Sequence, residues 1–292
     1  MMLRSMKIVF MFVLVIGMRH SYALEPILIW DRLQDNPVAY QILKLAMNNT
    51  VTEYGPYELQ SSMAMEQGRV ALELEKNRSV HIANFAPDED REARLLPVRI
   101  PVTQGLLGYR VCLIKEGRQA RFSEINSLQD LKDKQIRIGQ GEHWPDTSIL
   151  RANNLSVVGS VKYKTLFEML KRDRFDCFAR SISEVIPEAN KYQQQGLVIE
   201  KRLLFVYRLP TFFFVSKKNP QLAERIRRGL QRGLKNGSIS KLIRSNYRDD
   251  FKRLNLKDRK LIYLSNSNFT KTTSHELDQF NYWFQSSWSL VK

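Results

Sequence analysis

Residues 26–49 read Pro26-Ile-Leu-Ile-Trp30-Asp31-Arg-Leu-Gln-Asp-Asn36-Pro37-Val-Ala39-Tyr-Gln-Ile42-Leu43-Lys-Leu-Ala46-Met-Asn-Asn49. The opening apolar run stops at Asp31, as a short strand buried in a parallel sheet does. Asn36-Pro37 suits a helix start, with proline at the first helical position. Ala39, Ile42, Leu43 and Ala46 recur at helical spacing and carry that helix to Asn49. Working outward, Val51–Leu59 reads as a second strand, Glu66–Lys76 as a helix and Val80–Asn84 as a third strand. Strand, helix, strand, helix, strand is most economically a parallel sheet.

A second alternating unit follows. Val98–Thr103 and Gly108–Ile114 read as extended, Leu128–Leu131 as a short helix, and Gln135–Gly139 as a strand running into Gln140–Trp144. Pro145, Asp146 and Thr147 start a helix to Ala152; Ser160–Lys164 is a strand; Leu166, Met169 and Leu170 make one helical face. Phe175–Ala179 reads as a strand and Ile182–Gln194 as a helix. Leu203–Tyr207 and Thr211–Lys217 are extended, split by Pro210. From Pro220 an amphipathic helix runs to Asn236-Gly237, with Leu222, Ile226, Leu230 and Leu234 facing inward and Arg225, Arg227, Arg228 and Arg232 largely off that stripe, as a solvated basic face. Leu256–Asn266 reads as one more strand, and an aromatic tail (Phe280, Tyr282, Trp283, Phe284, Trp288) closes the sequence, either packed on the first unit or free for a partner.

The first 23 residues stand apart. Arg4 and Lys7 precede the apolar run Ile8–Met18, and Ser21 and Ala23 occupy the small-residue positions of a cleavage site. That run is shorter than the ~20 residues a bilayer span needs. A cleaved signal peptide is the expectation, an uncleaved anchor the alternative, and the periplasm the destination. The formal net charge is +16 over 292 residues. The charge is spread along the chain, with no interleaved aromatic-basic motif and no zinc-finger spacing, so nucleic acid is not expected as a partner. Cys112 and Cys177 pair if the compartment oxidises them, or serve as small buried hydrophobes; their spacing fits no metal motif, and no cofactor is expected.

Five segments carry a resemblance: Ala86-Pro-Asp-Glu-Asp-Arg91-Glu, Asn126–Gly141, Tyr163–Cys177, Phe213–Leu222 and Gly237–Ile243. In order and spacing they resemble the family 3 extracellular solute-binding proteins, the polar amino-acid receptors of ABC importers, over about residues 80–245. The resemblance implies an α/β chain of the two-lobed periplasmic binding protein type II fold, each lobe a mostly parallel sheet flanked by helices. It implies crossings near 103–108 and 208–213. Lobe 1 is then 24–104 plus 211–292, the latter including the C-terminal extension, and lobe 2 is 105–210.

Ligands of open α/β sheets sit beyond the carboxyl ends of the strands. That rule gathers Trp30, Asn84, Gly141, Glu142, His143, Trp144, Arg180 and Ser181 near one cleft. Arg91 resembles the family arginine that grips a substrate carboxylate, a task guanidinium geometry suits; the plainer reading is a surface arginine paired with Asp88 or Glu92. Trp30 and Trp144 resemble ligand-packing aromatics, or are core. Gly141–Trp144 resembles the family turn whose amides meet the carboxylate, aided by a helix N-terminus. Glu142 and His143 depart from the usual Ser or Thr there: Glu142 repels an anion but receives an amine, and His143 adds conditional charge, unless both merely face water. Ser181 stands where the family places its amine-binding acid, beside Arg180. A more anionic ligand than a standard α-amino acid is therefore expected.

A binding protein needs no catalytic group, and none is assembled: no metal-ligand cluster, nucleophile elbow or phosphate loop is present, and His81 and His275 lie far apart in sequence. The expected role is a monomeric carrier of a small polar or anionic ligand to a membrane permease. The alternatives are a sensing module acting on a membrane receptor, and a dehydratase using Glu142 beside His143.

Overall fold

The computed structural model describes residues 26–266 and 268–279. The expected signal peptide (1–23) and the aromatic tail (280–292) lie outside the described residues. In chain order the first unit holds β1 (Ile27–Ile29), α1 (Arg32–Asp35), α2 (Pro37–Asn48), α3 (Val51–Tyr54), β2 (Leu59–Ser61), α4 (Gln67–Lys76), β3 (Ala83–Phe85), α5 (Glu89–Arg94) and β4 (Leu95–Val98). The second holds β5 (Tyr109–Lys115), α6 (Leu128–Asp133), β6 (Arg137–Gly141), α7 (Pro145–Ala152), β7 (Ser156–Ser160), α8 (Tyr163–Lys171), β8 (Cys177–Ser181), α9 (Val185–Tyr192), β9 (Leu197–Ile199) and β10 (Leu203–Val206). The chain then adds β11 (Phe212–Ser216), α10 (Pro220–Lys235), α11 (Ser238–Arg253), β12 (Lys260–Tyr263) and α12 (Lys271–Gln279).

The opening segment folds as its pattern dictates. Asn36 caps α2 by accepting from the Ala39 amide at 3.2 Å, and Pro37 fills the first turn. Ala39, Ile42, Leu43 and Ala46 are buried against the sheet. The expected strand at Val51–Leu59 is instead a helical turn, α3, followed by an extended run that reaches β2 only at Leu59. Thr50 explains the difference: its hydroxyl donates to the Ala46 and Met47 carbonyls, and a further turn continues until Gly55 takes φ +79°.

Strands β2 and β1 pair in parallel, and β1 is bridged in parallel to Ile82, just before β3. β3 and β4 flank β11, each antiparallel to it. The first layer thus runs β2-β1-β3-β11-β4, all in one direction except β11. The larger sheet has the order β12-β10-β5-β8-β6-β7, with β9 also on β5. Its strands likewise share one direction except β5, which is antiparallel to β8, β9 and β10. The fold is that of the two-lobed periplasmic binding proteins.

The reversed strands are the ones by which the chain enters each layer from the other. The connectors run side by side: the Val102 amide donates to the Thr211 carbonyl at 3.0 Å, and the Tyr207 amide to the Gly108 carbonyl at 3.0 Å. Gly108 is required at this approach, because a Cβ there would lie 1.9 Å from the Tyr207 carbonyl oxygen. One continuous apolar cluster runs from Ile42 and Ile226 in the first unit through Val102 and Leu106 to Val111 and Leu204 in the second, with Tyr247 and Phe251 of α11 packed into it.

One assignment changes. The segment 211–292 was expected wholly in lobe 1, but β12 pairs in parallel with β10, from Leu203 opposite Lys260 to Val206 opposite Tyr263. β12 buries Ile262 and exposes Lys260 and Tyr263, an edge strand that shields β10. The chain then returns to the first unit, where Leu277 of α12 packs with Trp30 and Val70.

Cys112 and Cys177 form a disulfide between neighbouring strands β5 and β8, closing a separation of 65 residues. In the chain-entropy account a loop of this length contributes about 4 kcal/mol. Replacing both cysteines by alanine is expected to lower the melting temperature by about 10 °C. Two reactive thiols in unreduced, denatured protein would contradict the bridge.

Candidate functional site

The cleft-facing end of the larger sheet is built from the carboxyl ends of β6 and β8 and the start of β5. Three arginines converge there or on the facing wall, and their surroundings separate their roles.

Arg180, near the end of β8, is buried. Its Nε and Nη2 donate to Glu188 at 2.7 and 2.6 Å, and Glu184 lies 3.1 Å from Nη2. Its guanidinium carbon sits 4.9 Å from the Trp144 ring centre, 5.0 Å from Phe178 and 5.5 Å from Tyr163. Burial disfavours its charge, but Glu184 and Glu188 more than offset this and hold it well above the ordinary arginine value. Arg110, on β5, is also buried: Nη2 meets Asp146 at 2.7 Å, and Asp146 accepts from the Tyr207 hydroxyl at 2.5 Å. Burial opposes its charge too, and Asp146, Tyr207 and Glu184 reverse the effect. The same burial, with Asp146 beside it, raises the Tyr207 phenol well above its usual value.

Arg91, on α5, differs. Its Nη1 donates to the Ala86 carbonyl at 2.7 Å and lies 3.1 Å from Asp88. Its Nη2 donates to the His143 carbonyl at 3.0 Å, across the cleft. The side chain is 7% exposed, and burial outweighs Asp88, leaving its pKa below the ordinary value. Arg91 is therefore a buried cation with less compensation than Arg110 or Arg180.

Arg91 borders an open cavity of about 620 Å³ between the units. One wall is the start of α4 (Gln67, Gly68) and α5; the other is the Glu142–Pro145 turn with α7, and Asn268 closes one side. Charges on these walls alternate. Arg91 meets Asp88, Arg94 meets Asp90 at 2.5 Å, and Arg151 meets Glu142 at 3.3 Å. Glu89 has no ion pair among the described residues and is exposed.

Of the nine residues singled out in the sequence, Arg91, Glu142, His143 and Trp144 line this cavity. Gly141 lies beneath it, where a Cβ would strike the Trp144 ring at 2.5 Å, and its carbonyl accepts from Thr147 at 2.8 Å. Glu142 lies over Gly159, where a Cβ would come within 1.7 Å of its carboxylate. Trp30 belongs to the first unit's core, its indole N–H donating to Met65 O at 3.1 Å and its ring 5.3 Å from Phe85. Asn84 is in β3, its buried side-chain oxygen unpaired among the described residues. Ser181 is buried, donating to Leu106 O at 3.0 Å. Trp30, Asn84, Arg180 and Ser181 thus do not border the cavity. Sequence reading missed Glu188, Asp146, Arg151 and Asn268. Arg151 and Asn268 line the cavity, whereas Glu188 and Asp146 hold Arg180 and Arg110 through contacts that only the fold creates.

No family model matches the chain, and no curated protein matches it in sequence. Solved structures do match in fold. The VFT2 domain of BvgS from Bordetella pertussis is 13% identical, over 76% of this chain and 93% of that one, with a TM-score of 0.58. An ancestral arginine-binding protein bound to arginine is 17% identical over 72% and 87%, with a TM-score of 0.55. A Salmonella typhimurium periplasmic binding protein with high arginine specificity is 12% identical over 72% and 88%, with a TM-score of 0.54.

The Arg180 box gives a direct test. Glu188→Ala leaves a buried guanidinium short of its bidentate partner and is expected to cost about 3–5 kcal/mol in urea unfolding. Glu224→Ala, which removes a half-exposed surface partner of Arg227 and Arg228, should change stability far less. Equal costs would mean that Arg180 is solvated.

Proposed function

We propose that this chain is a periplasmic solute-binding protein that holds a small, polar, carboxylate-bearing solute in the cavity between α5 and the Glu142–Pro145 turn. The observation that carries this reading is Arg91: a buried guanidinium at the cavity wall, reaching both units and carrying more desolvation than its own carboxylate offsets. A ligand carboxylate supplies the missing charge and accepts two parallel hydrogen bonds from the guanidinium. The ligand then competes with the His143 and Ala86 carbonyls for the same donors.

The opposite sign is also provided. Glu89, free of ion pairs among the described residues, and Glu142 favour a cationic group on the same solute. A zwitterion therefore suits these walls better than the purely anionic ligand that the serine at position 181 suggests. The carrier hands its ligand to a membrane importer and works as a monomer. The sensing alternative draws on a specific likeness, since 93% of the BvgS VFT2 chain is matched. Crosslinking in native membranes separates the two by whether a permease or a receptor is captured.

A thermal-shift screen against amino acids and organic acids tests the site. At a hundredfold excess over Kd, linkage supplies about 2.7 kcal/mol, a rise of roughly 8 °C. Arg91→Ala is expected to abolish the rise for every carboxylate, and Glu89→Gln to weaken it only for ligands that also carry an amine. If the rise survives Arg91→Ala, the ligand sits elsewhere.

A further inference from the structure

The net charge is unevenly held. Residues 217–260 contain 15 Lys and Arg against 4 Asp and Glu, a net +11 in 44 residues out of +16 for the whole chain. Most of this belongs to the packed pair α10 and α11. On α11 the inward face is Ile239, Ile243, Tyr247 and Phe251, four residues apart and all buried. Lys241, Arg244, Arg248 and Lys252, at steps of three and four, form a second line on the outward side, and all four are exposed. At the helical rise that line is about 17 Å long.

On the neighbouring helix the exposed arginines are compensated, whereas Arg69, Arg78, Arg172 and Arg174 elsewhere are exposed without a carboxylate within 4.0 Å but do not line up along one helix. On α10, Arg228 is held by Glu224 and Glu53, and Arg232 by Glu53. On α11 this is not so: among the described residues none of Lys241, Arg244, Arg248 or Lys252 has a carboxylate within 4.0 Å. Among the described residues the large apolar side chains left exposed are Val51, Met63, Leu72, Val161 and Tyr263, none of them between 217 and 260. A specific protein partner anchors on aromatic or apolar residues, with lysine depleted. Single-stranded nucleic acid needs exposed rings to stack on, and here Tyr247 and Phe251 point inward. A line of solvated cations without an apolar centre fits a diffuse anionic layer.

We infer that the outer face of α11 is a docking surface for an anionic phospholipid membrane, which holds the protein at the bilayer by Coulombic attraction alone. This surface is separate from the ligand cavity and does not depend on what the cavity binds. Each lysine or arginine near an anionic leaflet adds a roughly fivefold gain in partitioning.

The test is co-sedimentation of the purified chain, as processed by its host, with vesicles of phosphatidylcholine alone or with about 30 mol % phosphatidylglycerol. Binding is expected only to the anionic vesicles, with at least a tenfold loss between about 50 and about 500 mM salt. The variant K241E/R244E/R248E/K252E should lose at least tenfold. The control K162E/K164E/R172E/R174E, with the same change in net charge at other exposed positions, should stay within about threefold of the parent. Melting curves of both variants check that each is folded; if the α11 quadruple melts early, the single changes Arg248→Glu and Arg172→Glu repeat the comparison. Equal losses from the two sets, no preference for anionic vesicles, or tighter α11-dependent binding to a DNA duplex would each overturn the inference.

Discussion

In each sheet a single strand runs against all the others, and it is the strand reached from the opposite unit by a short connector; β12, which reaches the larger sheet only after α10 and α11, runs parallel to β10. A chain that leaves one parallel layer and enters another cannot do so in register with its new neighbours without a long return. Entering antiparallel needs only a short connector. The two connectors can then lie against each other, and Gly108 lets them do so by removing the side chain that would strike the Tyr207 carbonyl. From this arrangement follow the facing carboxyl ends of β6 and β8, the opposed wall of α5, and the cavity between them.

Within that frame, arginine is the organising side chain, and charge compensation decides what each one does. Arg180 is enclosed by three rings and two carboxylates, and it ties α9 to β8. Arg110 is held by Asp146, and so ties the start of α7 to β5. Both are structural: each has gained more anionic charge than burial removes. Arg91 sits among carbonyl oxygens and a single carboxylate, and its donors reach across the gap.

The layered plan was legible because it rests on local periodicity. Asn36-Pro37 and the i+4 stripe of α10 specify their helices without help from distant residues. Val51–Leu59 was misread because its β-branched residues suggest a strand, whereas the Thr50 hydroxyl and the preceding helix extend one more turn. The site was only partly legible. Glu142, His143 and Trp144 follow the end of β6, where the rule for open sheets applies, whereas Arg91, on α5, was legible only through the family resemblance of its segment. Trp30 satisfied the same rule, yet its indole N–H is taken by Met65 and its ring by Phe85, a matter of packing that no local pattern encodes. Glu188 is out of reach of such reasoning, since its meaning comes only from the arginine on the next element.

The path of the last described segment has a mechanical consequence. After β12 the chain follows the second unit, where Asn153 binds Ser265 and Ser148 meets Asn268, and then ends on the first, where Thr273 donates to Glu92. The units are therefore joined by four passages of chain and by an apolar seam running through Val102 and Leu106. Two units strapped in this way cannot move on two pivots alone: any widening of the gap must also involve the backbone around residues 254–259 and 264–266. Relative movement of the two units is thus constrained at four crossings rather than two.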